Sequence, residues 1–186
     1  MKKSFPMALM ILGLVFLGAG IYTTVRGFDA KGQVRAELLA QDITTPEDAS
    51  IPNARVDDAA TADAMAKIID VHAREATGDR TYAEMGRFLA PDGGDTSDEA
   101  TALKDSEGNP VANPLRNVAF QASALQTSLH TSHMAFNVAD LVIGLGVLIA
   151  ALGLAVGGIG VALGGLAIPA LARRVHVEPI AARPAA

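Results

Sequence analysis

The chain has 186 residues, half of them apolar, with a formal charge of -5, neither cysteine nor tryptophan, and few aromatic residues. Without cysteine there can be no disulfide, thiolate metal site, cysteine nucleophile or lipoprotein attachment point. The acidic balance argues against nucleic-acid binding, which needs cations against phosphate, and the positive mean hydropathy with so few aromatics directs the apolar content to lipid rather than to a large aqueous core.

The first predicted element is a transmembrane helix within residues 1–26. Phe5 to Val25 carries no charge for 21 residues, and at about 1.5 Å per helical residue it covers a hydrocarbon core of roughly 30 Å. A cleaved signal peptide is the competing reading, since Lys2 and Lys3 precede the run and Gly18-Ala19-Gly20 is small. The run exceeds a usual signal core, and bulky Ile21 and Tyr22 follow the small residues.

Residues 27–89 read as an extracytoplasmic helical segment. Gln33 to Gln41 predicts a short helix with Val34, Leu38 and Leu39 on one side, followed by a turn at Thr45-Pro46-Glu47-Asp48. A longer helix is predicted from Asp58 or Thr61 to Thr77, with Met65, Ile68, Ile69, His72 and Ala76 inward and Gly78 at its end. Thr81-x-x-Glu84 is a capping box that predicts a brief helix carrying Met85, Phe88 and Leu89. Residues 90–112 hold acids, glycines and prolines with little apolar content, and read as a flexible acidic loop; no strand is expected anywhere.

Asn113-Pro114 marks the start of a long helix over 113–172, in which Leu115, Val118, Ala119, Ala122, Leu125, Leu129 and Met134 keep a helical period into a second span. That span is uncharged from Leu141 to Ala172, longer than one crossing requires, so it either tilts or ends in interfacial turns near Pro169. Asp140 at its edge reads as an interfacial residue in contact with water. Within the span Gly146, Ala150, Gly153, Gly157, Gly160 and Gly164 recur at alternating steps of four and three, a seam of small residues that lets another backbone approach closely. Gly13 and Gly20 answer it on the first span. The partner of the seam is either the first span or another protein.

Orientation follows from the cations, which stay cytoplasmic near spans. Lys2 and Lys3 precede the first span and Arg173, Arg174 and Arg183 follow the second, whereas Gly27 to Met134 holds 9 Lys and Arg against 18 Asp and Glu. Both termini, including the tail 173–186, are therefore expected in the cytoplasm and residues 27–134 outside, with Arg26 dissenting. The fold class expected is all-α: two transmembrane helices flanking a small outward helical segment.

Signals for chemistry are thin. His130-x-x-His133 and His72 with Glu75 place imidazoles and a carboxylate at helical spacing, the minimum from which a two-histidine, one-carboxylate iron site is built. Ser123, Ser128 and Ser132 have no base at an evident spacing. No cofactor is expected.

The runs Leu39 to Ala49, Ala66 to Met85 and Leu125 to Phe136 carry a resemblance. The chain resembles a group of small two-span actinobacterial membrane proteins that often bear the name aromatic ring-opening dioxygenase LigA, the small subunit of protocatechuate 4,5-dioxygenase. The resemblance covers roughly 60% of the chain and implies the same order of spans. The name implies an aromatic dioxygenase, whose iron site belongs to the large partner of a soluble small subunit, so the resemblance carries no activity onto particular residues here. Two functions are thus expected to compete. The first is a non-enzymatic accessory or scaffold subunit, contacting lipid and other membrane proteins or itself through the glycine seam. The second is an enzyme-associated or metal-binding subunit using His72, Glu75, His130 and His133. An envelope sensor is disfavoured, because neither terminal tail has room for a signalling domain.

Overall fold

The structure, a computed structural model, describes residues 4–175, with side chains to residue 164. The orienting cations Lys2, Lys3 and Arg183 lie outside the described residues, and the side chains of Arg173 and Arg174 are likewise outside them. The chain is mostly helical: α1 spans Ser4–Ala40, α2 Ala59–Thr77 and α3 Pro114–Val175, with a 3₁₀ turn at Tyr82–Glu84 and two short strands, β1 (Phe88–Leu89) and β2 (Asp95–Thr96). It divides into two compact units, one drawn from Met1–Ala30 and Ala139–Ala186, the other from Lys31–Val138.

In the first unit α1 and α3 provide two helices long and apolar enough to cross a membrane. Their large side chains point outward: Leu14, Tyr22, Leu141 and Leu148 are each about two-thirds exposed. Their buried positions are small or narrow, with Gly13, Gly20, Gly146, Gly153 and Gly160 all inside. This distribution is inverted relative to a water-soluble helix pair, in which large apolar residues form the core and polar ones the surface. Hydroxyls on α1 are satisfied within the helix, Thr23 and Thr24 each donating to the carbonyl four residues back at 2.9 Å.

The second unit has an orthodox core. Val56 and Phe136 are almost fully buried, and Leu38, Ala62, Ala66 and Leu129 join them. The helix predicted at Gln33–Gln41 is the final part of α1, which continues through Arg26; an Arg26–Asp29 pair at 3.4 Å braces the helix there. The chain then turns at Asp42, whose φ of 51° is left-handed. Thr45, 1% exposed, organises the turn that follows. Its hydroxyl donates to the Ile51 carbonyl at 2.5 Å and accepts from the Ala54 amide at 2.9 Å.

Helix α2 is fixed at both ends by its sequence. Asp58 accepts from the Thr61 amide at 2.8 Å, while the Thr61 hydroxyl accepts from the Asp58 amide at 3.2 Å, and Gly78 takes the left-handed conformation with φ 63°. Its inward face differs from the periodicity reading. Ala62, Ala66 and Ile68 are buried, Met65 and Ile69 only in part, and His72 and Ala76 are exposed. Apart from Thr77, the buried residues of α2 are Thr61, Ala62, Ala64, Ala66 and Ile68, so the core covers the first half of the helix and stops short of His72 and Ala76.

Beyond Gly78 the structure corrects two expectations. The Thr81–Glu84 capping box forms, with the Thr81 amide donating to Glu84 at 2.7 Å, but it opens a single 3₁₀ turn, and Phe88 and Leu89 lie in a strand rather than a helix. The segment read as a loop without structure is hydrogen-bonded throughout: β1 pairs antiparallel with β2, and single bridges join Phe88 to Ala112 and Lys104 to Pro110. The physical reason lies in its acids. Asp92, Asp98 and Asp105 each accept from a backbone amide two residues on, making side-chain turns that replace the missing apolar contacts.

Asp95 is the hub of this region. Its carboxylate takes Arg80 at 2.6 Å, the Gly86 amide at 2.9 Å and the Asn113 amide group at 3.4 Å, and Arg80 first, then Gly86, hold it below the usual carboxylate range. Asn113, itself buried, caps α3 by accepting from the Leu115 amide at 3.1 Å. Along α3 the inward residues are Ala119, Ala122, Leu129 and Phe136; Leu115, Val118, Leu125 and Met134 are exposed, so Phe136 rather than Met134 closes the stripe.

Candidate functional site

In the first unit α1 and α3 meet along the glycine seam. Each seam position of α3 faces one of α1 in an antiparallel register: Gly164 meets Pro6, Gly160 meets Met10, Gly157 meets Gly13, Gly153 meets Leu17, and Gly146 meets Thr24. Ala150 lies against Gly20. On α1 the partners also step by four and three, so both helices present the same repeat, running in opposite directions. A strict alternation of this kind keeps one face of each helix against the other.

How close the backbones come is set by the missing side chains. A Cβ placed on Gly13 would lie 2.5 Å from the Gly157 nitrogen and 2.7 Å from the Gly153 carbonyl oxygen. At Gly160 it would lie 2.8 Å from the Met10 nitrogen and 2.9 Å from the Pro6 carbonyl oxygen. These are backbone atoms that no rotamer change can move aside. Two seam members are looser: beside Gly157 the nearest atom is at 3.7 Å, and beside Gly164 at 3.8 Å. Gly18, Gly144 and Gly158 face open space. The seam therefore has tight and slack positions that its spacing alone does not distinguish.

Sequence reasoning missed half of the contact. Only Gly13 and Gly20 stood out on α1, yet Pro6 and Gly27 continue their seven-residue step, and both are buried. Gly27 faces Ile143, 3.0 Å from its nitrogen to the Cβ position. The heptad is present in the sequence, but Arg26 ends the uncharged run one residue before Gly27 while the helix continues to Ala40.

The four histidine and carboxylate candidates are not brought into one ligand set, and no group of three or more potential ligands is found among the described residues. His72 is exposed, its Nε2 2.7 Å from Asp48 Oδ2, and this hydrogen bond is the main reason that Asp48 is held below its ordinary pKa. His133 is held from both sides: Nδ1 is 2.9 Å from the Ala59 carbonyl oxygen, and Nε2 is 2.9 Å from Asn137 Nδ2. Because a carbonyl only accepts, Nδ1 carries the proton and Nε2 receives the Asn137 amide hydrogen, so neither nitrogen offers a lone pair to an ion. Glu75 and His130 are exposed. Compared with protein-family models, curated proteins and solved structures, the chain matches none.

Proposed function

We propose that the chain is a non-enzymatic two-span membrane protein, an accessory or scaffold subunit that holds residues 27–134 on the outer side of the cell membrane with both termini in the cytoplasm. One observation carries the membrane part of this reading. At least eleven large apolar side chains of α1 and eight of α3 in the first unit are 40% exposed or more. Fully burying such a side chain is worth about 1.5–3 kcal/mol, and at these exposures roughly half of that is forgone in water. The total is on the order of 20 kcal/mol, against a net folding stability of about 5–15 kcal/mol for a typical domain. Lipid removes the conflict. The glycine contact then supplies what lipid cannot, close van der Waals packing between helices.

The accessory role rests on how the surfaces are used. The seam is filled by the chain's own α1, so it serves as an internal clasp, and other chains would meet the remaining faces of the helices or the second unit. An aromatic dioxygenase site has no support from the positions of His72, Glu75, His130 and His133.

The absence of native cysteine makes the test clean. Ser106 is exposed in the second unit, and a Ser106→Cys chain expressed in intact cells should react with a membrane-impermeant maleimide while resisting extraction by alkaline carbonate. Labelling only after lysis, or release by carbonate, refutes the placement. A native gel of solubilised membranes then tests the subunit role: migration as a lone 19.1 kDa chain in its micelle argues against it.

A further inference from the structure

The second unit carries a large excess of acid, 17 Asp and Glu against 9 Lys and Arg between residues 31 and 138. Five of those cations, Arg35, Arg55, Lys67, Arg74 and Arg80, lie within 3.3 Å of a carboxylate oxygen. Arg87 and Arg116 do not. Instead each guanidinium is tethered to a backbone carbonyl: Arg87 Nη2 donates to Ser97 at 3.2 Å, and Arg116 Nε donates to Met85 at 3.1 Å. A carbonyl tether orients the group without neutralising its charge. Among the described residues, two arginines thus stay without a carboxylate partner where carboxylates are abundant.

Both line the same cleft, of about 490 Å³, together with Tyr82, Asn117 and Phe120. Arg116 is stacked on Tyr82, its central carbon 3.9 Å from the ring centroid, which fixes the plane of its fork. The Tyr82 and Phe120 rings meet at 5.7 Å and remain 38% and 56% exposed. The start of α3 adds little attraction of its own, because Pro114 has no amide hydrogen and the next two amides are taken by Asn113. The positive character of the cleft therefore comes from the two side chains.

We propose that this cleft binds a small organic acid, a carboxylate carried on a flat apolar body. The two guanidinium forks match the oxygens of a carboxylate, and such charge-assisted bonds are the strong ones. The exposed ring faces beside them call for an apolar body, which inorganic phosphate lacks. The volume lies in the range of small-molecule sites, roughly 300–1,000 Å³. This inference stands apart from the membrane reading, since every residue in it belongs to the second unit.

The test uses the full chain in detergent with ¹⁵N-labelled arginine, following the side-chain Nε–H signals. Phenylacetate is the probe, with phenylacetamide, acetate and inorganic phosphate as comparisons. Phenylacetate should shift the Arg87 and Arg116 signals saturably, acetate should bind about tenfold more weakly for want of the ring, and phenylacetamide should give no saturable shift. Arg87→Gln and Arg116→Gln should each weaken phenylacetate binding by about tenfold or more. Arg87 is exposed, so its variant keeps the test informative if Arg116→Gln perturbs the fold. No saturable shift, an equal response to phenylacetamide, tighter binding of phosphate than of phenylacetate, or undiminished binding by Arg87→Gln would each overturn the proposal.

Discussion

Alanine substitutions in the glycine seam should divide into two classes that sequence spacing treats as one. A methyl at Gly13 would sit 2.5 Å from the Gly157 nitrogen, about 0.9 Å inside the 3.4 Å at which ordinary contact begins, and the obstacle is backbone. Overpacking of this kind costs about 1–3 kcal/mol, and a backbone obstacle places Gly13→Ala near the upper figure. The better helix propensity of alanine returns about 1 kcal/mol. The net loss is about 2 kcal/mol, or about thirtyfold in the ratio of closed to separated helices. Gly153→Ala meets backbone as closely, against Leu17, and should behave alike. Gly157→Ala has 3.7 Å of room and Gly158→Ala faces open space, so both should be neutral or stabilising by up to about 1 kcal/mol. The assay is SDS titration of the full chain in mixed micelles, read by energy transfer between dyes on cysteines introduced at Phe5 and Val161, both exposed in the first unit. Equal losses at Gly153 and Gly157, or no loss at Gly13, would refute the register.

Further substitutions test the second unit. Phe136→Ala empties a site 1% exposed and should cost about 3–5 kcal/mol in urea unfolding, whereas Met134→Ala, at a position 64% exposed, should change little. Asp95→Asn removes the ion pair with Arg80 and weakens the bonds to Gly86 and Asn113; a loss of about 1–3 kcal/mol is expected in thermal unfolding. Asp58→Ala should cost about 1 kcal/mol by leaving the first turn of α2 uncapped; an unchanged unfolding midpoint would deny the cap. Asp48, Asp58 and Asp95 are all held below their ordinary value of 3.8, Asp48 chiefly by His72, Asp58 by the Thr61 amide and Asp95 by Arg80. Each such carboxylate binds protons more readily when unfolded. Its contribution is present above the unfolded value and is lost as pH falls through the lower folded one. Urea midpoints should therefore fall on acidification below about pH 4, and a rise there would contradict the assigned partners.

What the sequence discloses depends on how local the cause is. Helix α2 is legible because its determinants, Asp58, Thr61 and Gly78, lie within the helix ends themselves. The start of α3 at Asn113-Pro114 is legible for the same reason. The seam is legible on α3 because glycine repeats are conspicuous, but on α1 its partners include Pro6, Met10, Leu17 and Thr24, residues that carry no compositional mark. The ordering of residues 90–112 is hidden because its local aspartate turns are tied together by long-range bonds, such as Leu89 to Val111 and Leu103 to Leu89. A low apolar content signals a missing core, yet here aspartate turns and backbone bridges take its place. His72 shows the opposite error. Helical period puts it on the same face as Ile68, but apart from Thr77 the buried part of α2 ends at Ile68, one turn before it. For the candidate site, the spacing of His130 and His133 suggested ligands, whereas the ring of His133 is committed to Ala59 and Asn137, contacts that only the tertiary structure reveals.

Gly13, Gly20, Gly146, Gly153 and Gly160 bring α1 and α3 together, and we propose that the large apolar side chains of both helices face lipid. Spin labels on cysteines placed at Leu14 and Leu148, which are 66% and 68% exposed, measure this directly in reconstituted bilayers. Frequent collisions with dissolved oxygen and rare ones with a water-soluble nickel complex are the predicted result at both positions. Free access of the nickel complex to either label, or protection from both reagents, would contradict it.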